Sequence, residues 1–190
     1  MERREALRWL AAGAGLGLLP GIQPDDLLAF GRHVHAQAMP SSSAQLRALD
    51  AHANRTVIAM AERIIPATET PGATDAHVNL FIDHMLAAWY PPADRDRVLQ
   101  GLRDLDARSR ARRGQDFVSS AQADQTALLH ALDDEMSAEG HWFGLFKYLT
   151  VWGYCTSEVA LRETLHEYPL PGRYDGCAPY QPRTRSSAPS

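Results

Sequence analysis

The 190-residue chain has no apolar run long enough to cross a bilayer as a helix; its longest, Trp9 to Ile22, falls well short of the ~20 residues needed. It lacks a basic excess: the formal net charge is −4, which excludes a broad electrostatic footprint for nucleic acid. The cluster Arg108, Arg110, Arg112, Arg113 is the local exception, and reads as the solvated, dipole-favoured end of a helix. There is no C-x-x-C-H for covalent haem and no G-x-S-x-G elbow around a serine. Gly13, Gly15 and Gly17 are closely spaced, but no strand precedes them, so they are not a dinucleotide loop. Glu163 and His166 form one E-x-x-H pair; a di-iron bundle needs two, with further glutamates, so this pair reads as a surface feature. No cofactor or metal site and no catalytic residue is expected in this chain.

What the chain does have begins at its head. Arg3 and Arg4 precede Glu5-Ala6-Leu7-Arg8 and a Gly/Ala-softened apolar run, the layout of a twin-arginine export leader with Ala6 in the usual Phe place. Ala36-Gln37-Ala38 offers an A-x-A cleavage site far beyond the apolar core, so both cleavage and retention of the leader stay open. Such a leader predicts a periplasmic protein that meets the twin-arginine translocase already folded.

Organisation downstream is expected as leader 1–38, linker 39–53, a helical domain 54–180 and a disordered tail 181–190. Helical periodicity dominates. Val57, Ile58, Ala61, Ile64 and Ile65 make one stripe, halted at Pro66; Val78, Phe81, Ile82, Met85, Leu86 and Trp89 make a second, ended by Pro91-Pro92. Val98, Leu99, Leu102 and Leu105 make a third that Gly114 should stop. Ser119 and Gln122 resemble a capping box opening a fourth helix through Leu128, Leu129, Leu132 and Met136. A fifth runs through Trp142, Leu145, Phe146, Leu149 and Trp152, is weakened at Gly153, and gives way to a short helix capped by Thr156-Ser157-Glu158. No period-two alternation persists over strand length. The fold class is all-α, a compact bundle of five to six helices with an irregular Pro/Gly-rich C-terminal arm.

Cys155 and Cys177 stand 22 positions apart. In an oxidising compartment they could close a disulfide stabilising the fold by roughly 3 kcal/mol, remain free thiols, or bridge to a partner chain. Trp142, Tyr148, Trp152 and Tyr154 could line a pocket, fill the core, or anchor an interface, where aromatic residues are enriched.

Three strings carry a resemblance: Ala61-Glu62-Arg63-Ile64-Ile65-Pro66-Ala67-Thr68-Glu69-Thr70-Pro71-Gly72-Ala73, then Gly153-Tyr154-Cys155-Thr156-Ser157-Glu158, then Pro171-Gly172-Arg173-Tyr174-Asp175-Gly176-Cys177. In this order behind an arginine-pair leader, the chain resembles the gluconate 2-dehydrogenase subunit 3 family. The resemblance implies a non-catalytic small subunit that escorts a large FAD-containing dehydrogenase subunit of the glucose–methanol–choline type, acting on a sugar, sugar acid or polyol. A cytochrome c subunit commonly takes the electrons onward. A free-standing periplasmic chaperone and a metal-binding bundle are the alternatives. The strings suggest a partner interface at Pro66, Thr68, Pro71 and Gly72, at Gly153, Tyr154, Thr156, Ser157 and Glu158, and at Pro171, Gly172, Tyr174 and Gly176. The family has a second tyrosine where this chain has Cys155, whereas Cys177 fits its pattern. An internal bridge would therefore belong to this chain rather than to the family, which favours Cys177 facing a partner.

Overall fold

A computed structural model of the chain describes residues 24–38, 46–137 and 141–165. They form an all-α bundle, with no strand among the described residues. In chain order the helices are α1 Pro24–Ala38, α2 Ala51–Ile64, α3 Val78–Ala88, α4 Pro92–Arg113, α5 Gln122–Asp134 and α6 Trp142–Thr156. A 3-10 turn Glu135–Ser137 extends α5, and a π-helical turn Ala160–Thr164 follows α6. The expected C-terminal arm lies outside the described residues.

The core is built around α3 and α6. Seven of the eleven α3 residues are buried, as are eleven of the fifteen in α6, so both are wrapped on nearly every side. Phe81, Phe143, Phe146 and Leu149 sit at the centre. The outer helices contribute one face each: Thr56, Val57, Met60, Ala61 and Ile64 from α2, and Val98, Leu102 and Leu105 from α4. The long α4 crosses α6 closely because Gly101 lies beneath the Trp142 ring; any Cβ there would overlap the indole.

Helix ends follow the sequence signals in part. Asp50 caps α2, its side chain accepting the Ala53 N–H at 2.7 Å. Pro92 starts α4, and Gly114 ends it in the left-handed conformation at φ 76°. All four arginines of the expected cluster are exposed on the end of α4, Arg108 reaching Glu135 and Arg113 reaching Asp124. The Ser119–Gln122 capping box does not form. Helix α5 begins after Ala121 without a side-chain cap, and Asp116 instead accepts the Ser119 N–H at 2.8 Å, closing the turn one step earlier.

Two buried carboxylates fasten loops to helices. Asp83 on α3 accepts the N–H groups of Arg47, Ala48 and Leu49, at 2.9, 2.9 and 2.8 Å. Asp106 on α4 accepts the Phe117 N–H at 2.9 Å and also meets His52. Each satisfies backbone donors that would otherwise be buried unpaired.

Two helices begin within the expected leader and linker. Residues 24–38, assigned to the leader, form α1, whose Val34 is wholly buried. Helix α2 starts at Ala51, inside the expected linker, because Asp50 supplies a cap that the apolar stripe alone did not reveal.

Candidate functional site

The segment after α2 must turn, because Pro66 ends the helix and Thr-rich residues follow. One carboxylate organises the turn. Glu62, in the last turns of α2, accepts the Ala67 N–H at 2.8 Å, the Thr74 N–H at 3.0 Å and the Thr74 hydroxyl at 2.6 Å. Burial on its own would raise the Glu62 carboxyl, but the Thr74 hydroxyl and the N–H groups of Ala67 and Thr74, with the Arg63 cation nearby, hold it below the usual carboxylate range. Gly72 completes the turn by having no side chain. A Cβ there would lie 2.6 Å from both the Ala67 nitrogen and Glu62 Oε1, where no real Cβ is found. The Ala73 N–H returns to the Ile65 carbonyl at 2.9 Å, and Asp75 accepts the Gly72 N–H at 2.9 Å.

The end of α6 docks against this turn. The buried Tyr154 donates its hydroxyl to the Pro71 carbonyl at 2.7 Å and shares a second hydrogen bond with the Thr164 hydroxyl at 2.8 Å. One phenol thus joins the turn, α6 and the π-helical turn. The weakening expected at Gly153 does not interrupt α6, which runs through it to Thr156. Its lack of a side chain serves close approach instead, since a Cβ would fall 2.8 Å from Phe81 Cδ1. The break comes at Ser157, whose hydroxyl donates to the Tyr154 carbonyl at 2.8 Å and accepts the Ala160 N–H at 3.1 Å. Ser157 is therefore the expected cap, while Thr156 bonds back to the Trp152 carbonyl within α6.

Beside the turn lies a shallow groove of about 290 Å³, lined by Arg55, Ile58, Arg63, Thr74 and Gln125 among others. Arg63 makes no ion pair among the described residues, and its buried Nε has no hydrogen-bond partner there. Its neighbour Glu62 is held by the turn. Sequence reasoning quoted both residues within the first string but gave them no role.

The expected interface residues divide sharply. Pro66, Thr68 and Glu158 are exposed and Pro71 is half-buried, so these face outward. Gly72, Gly153, Tyr154, Thr156 and Ser157 are buried within the chain, where they shape the junction rather than present atoms to a neighbour. Glu158 pairs with Arg162 at 2.7 Å on the surface. Arg3, Arg4, Pro171, Gly172, Tyr174, Gly176 and Cys177 lie outside the described residues. Cys155 is half-buried, and burial pushes its thiol up to about 11. Glu163 is exposed, while His166 is outside the described residues. No group of three or more His, Cys, Asp or Glu residues is arranged to hold a metal among the described residues. Trp152 and Tyr154 belong to the core, with Trp142 and Tyr148 half-buried against it; Trp89, on the C-cap of α3, is the half-exposed aromatic, in edge contact with Phe30.

A family model described as gluconate 2-dehydrogenase subunit 3 matches residues 51–172, more than half of the chain. No curated protein and no solved structure matches it.

Proposed function

The chain belongs to the gluconate 2-dehydrogenase subunit 3 family, and on that footing we propose that it is the non-catalytic small subunit and export escort of a periplasmic FAD-dependent dehydrogenase. The partner would be a large flavoprotein of the glucose–methanol–choline type, oxidising a sugar, sugar acid or polyol and passing electrons to a cytochrome c subunit. FAD would sit in that partner. Arg3 and Arg4 would address the pair to the twin-arginine translocase.

The observation that carries the reading is the use to which two of the three family strings are put. They build a stiff junction from Glu62, Gly72, Tyr154 and Ser157, and its outward side is Pro66 to Glu69 with the Arg63 groove alongside. Glu62 and Asp75 are occupied with backbone N–H groups of the turn. Rigid turns beside a cation that makes no ion pair among the described residues suit a docking face, because little conformational entropy is lost when they are covered.

The test is a pull-down of the C-terminally tagged chain from periplasm and membranes of the native host, with an absorbance spectrum of the eluate. A large co-purifying chain with a flavin spectrum is the expected result, and a substrate screen on that complex would name the reaction. A colourless, solitary chain would overturn the stable-subunit reading and leave a transient periplasmic chaperone.

A further inference from the structure

The helix α1 carries the Ala36-Gln37-Ala38 sequence that reads as a leader-cleavage site, yet it is seated in the bundle. Its residues lie outside those matched by the family model, but its seat lies inside them. Gly31 is buried against Thr156 of α6, and an added Cβ would stand 2.5 Å from Thr156 Cγ2. Val34 is fully buried. His35 Nε2 donates to the Gly153 carbonyl at 2.7 Å, and its ring lies 4.9 Å from that of Phe81. Trp152 Nε1 donates to the Leu27 carbonyl at 3.1 Å, while Phe30 stacks on the Trp152 ring at 5.7 Å. These contacts follow one another along more than two turns of a single helix face.

We propose that Pro24–Ala38 is a permanent helix of the mature subunit, that Ala36-Gln37-Ala38 is not a processing site, and that any cut in the leader falls before Pro24. A peptidase takes its substrate as extended chain, so cleavage at a helical site requires local unfolding. Here that opening must uncover Val34 and the Phe81–Trp152 pair, and leave the Gly153 carbonyl and the Trp152 N–H without their partners. A cut after Ala38 would sever the whole of α1 from the domain and leave its seat on α3 and α6 uncovered. The seat itself exists only when α3 and α6 are assembled, so the leader is carried by a helix that docks on a finished core. This rests on the export reading for where the cut is made, and not for the docking of α1.

Two measurements on the full chain decide it. The first is the intact mass of the C-terminally tagged protein from the native host. A mature form starting at or before Pro24, or still at Met1, agrees with the proposal; a form starting at residue 39 overturns it. The second is hydrogen exchange, with amides of residues 28–38 expected ~100-fold or more slower than free chain; unprotected amides there overturn it. Gly31→Leu should abolish that protection while α4 stays protected, and His35→Ala, a gentler change, should reduce it. Unchanged protection in both variants overturns the seat described here. A chain that stays unprocessed in the cytoplasm would sink the export reading while leaving the exchange result to judge α1.

Discussion

Tyr154 and Pro71, 83 residues apart in sequence, are joined by a 2.7 Å hydrogen bond from the phenol to the proline carbonyl. That bond unites two strings that the sequence presents as separate. Tyr154→Phe removes it together with the Thr164 contact and leaves the Pro71 carbonyl without its partner. A loss of about 1–3 kcal/mol in unfolding free energy is expected. Urea denaturation measures it, and exchange in residues 66–74 should quicken more than exchange in α4.

Gly72 and Gly114 separate two reasons for needing glycine. Gly72→Ala places a methyl against the Ala67 nitrogen and the Glu62 carboxylate, and overpacking of that kind costs ~1–3 kcal/mol. Gly114→Ala meets nothing within 4 Å, but its φ of 76° makes a side chain unfavourable by roughly 1 kcal/mol. A Gly72→Ala variant as stable as the native chain in denaturant titrations would contradict the steric account of Gly72.

The Glu62 carboxyl titrates below its ordinary value in the folded chain. A group whose folded value is depressed stabilises the fold above its unfolded value, and that contribution is lost as pH falls through the folded one. Stability of the native chain should therefore drop between about pH 4.5 and the lower folded value, where Glu62→Gln shows a shallower slope. Parallel pH profiles for the two proteins would show that the turn does not depend on the charge.

Arg63 is the cation of the first string with no ion pair among the described residues. If its groove faces the flavoprotein, Arg63→Glu should weaken the complex at least about tenfold, with Arg97→Glu, an exposed α4 arginine outside the groove lining, as the control. Quantitative co-purification over a salt series reads the effect. An unchanged complex would move the interface elsewhere while leaving the subunit assignment standing.

The Cys155 thiol, pushed up to about 11 by burial, should be almost wholly protonated at neutral pH. In the reduced native chain it should alkylate far more slowly than in denaturant. Rapid native labelling would mean that α6 opens near its C-terminal end.

Much of this was legible in the sequence because it depends on neighbours along the chain. The 3.6-residue stripes gave α2 to α6, Pro91-Pro92 gave the stop after α3 and Gly114 the end of α4, and the three strings gave the family. The Ser119 box failed because Asp116, three residues earlier, competes for the same turn. Gly153 read as a weak point since a glycine in a helix is locally unfavourable; only the Phe81 ring against it supplies the compensating reason.

The sequence by itself determined the all-α class, the places where helices must stop, and membership of the family, since periodicity, proline and glycine act through local backbone preferences. Only the tertiary structure decided which of the family residues face outward. Gly72, Tyr154 and Ser157 are buried by partners tens of residues away, whereas Pro66, Thr68 and Arg63 border open surface or the groove. It also decided that Pro24–Ala38 packs as a helix, because the apolar face of α1 finds its match in Phe81, Trp152 and Thr156, a relationship no local pattern encodes.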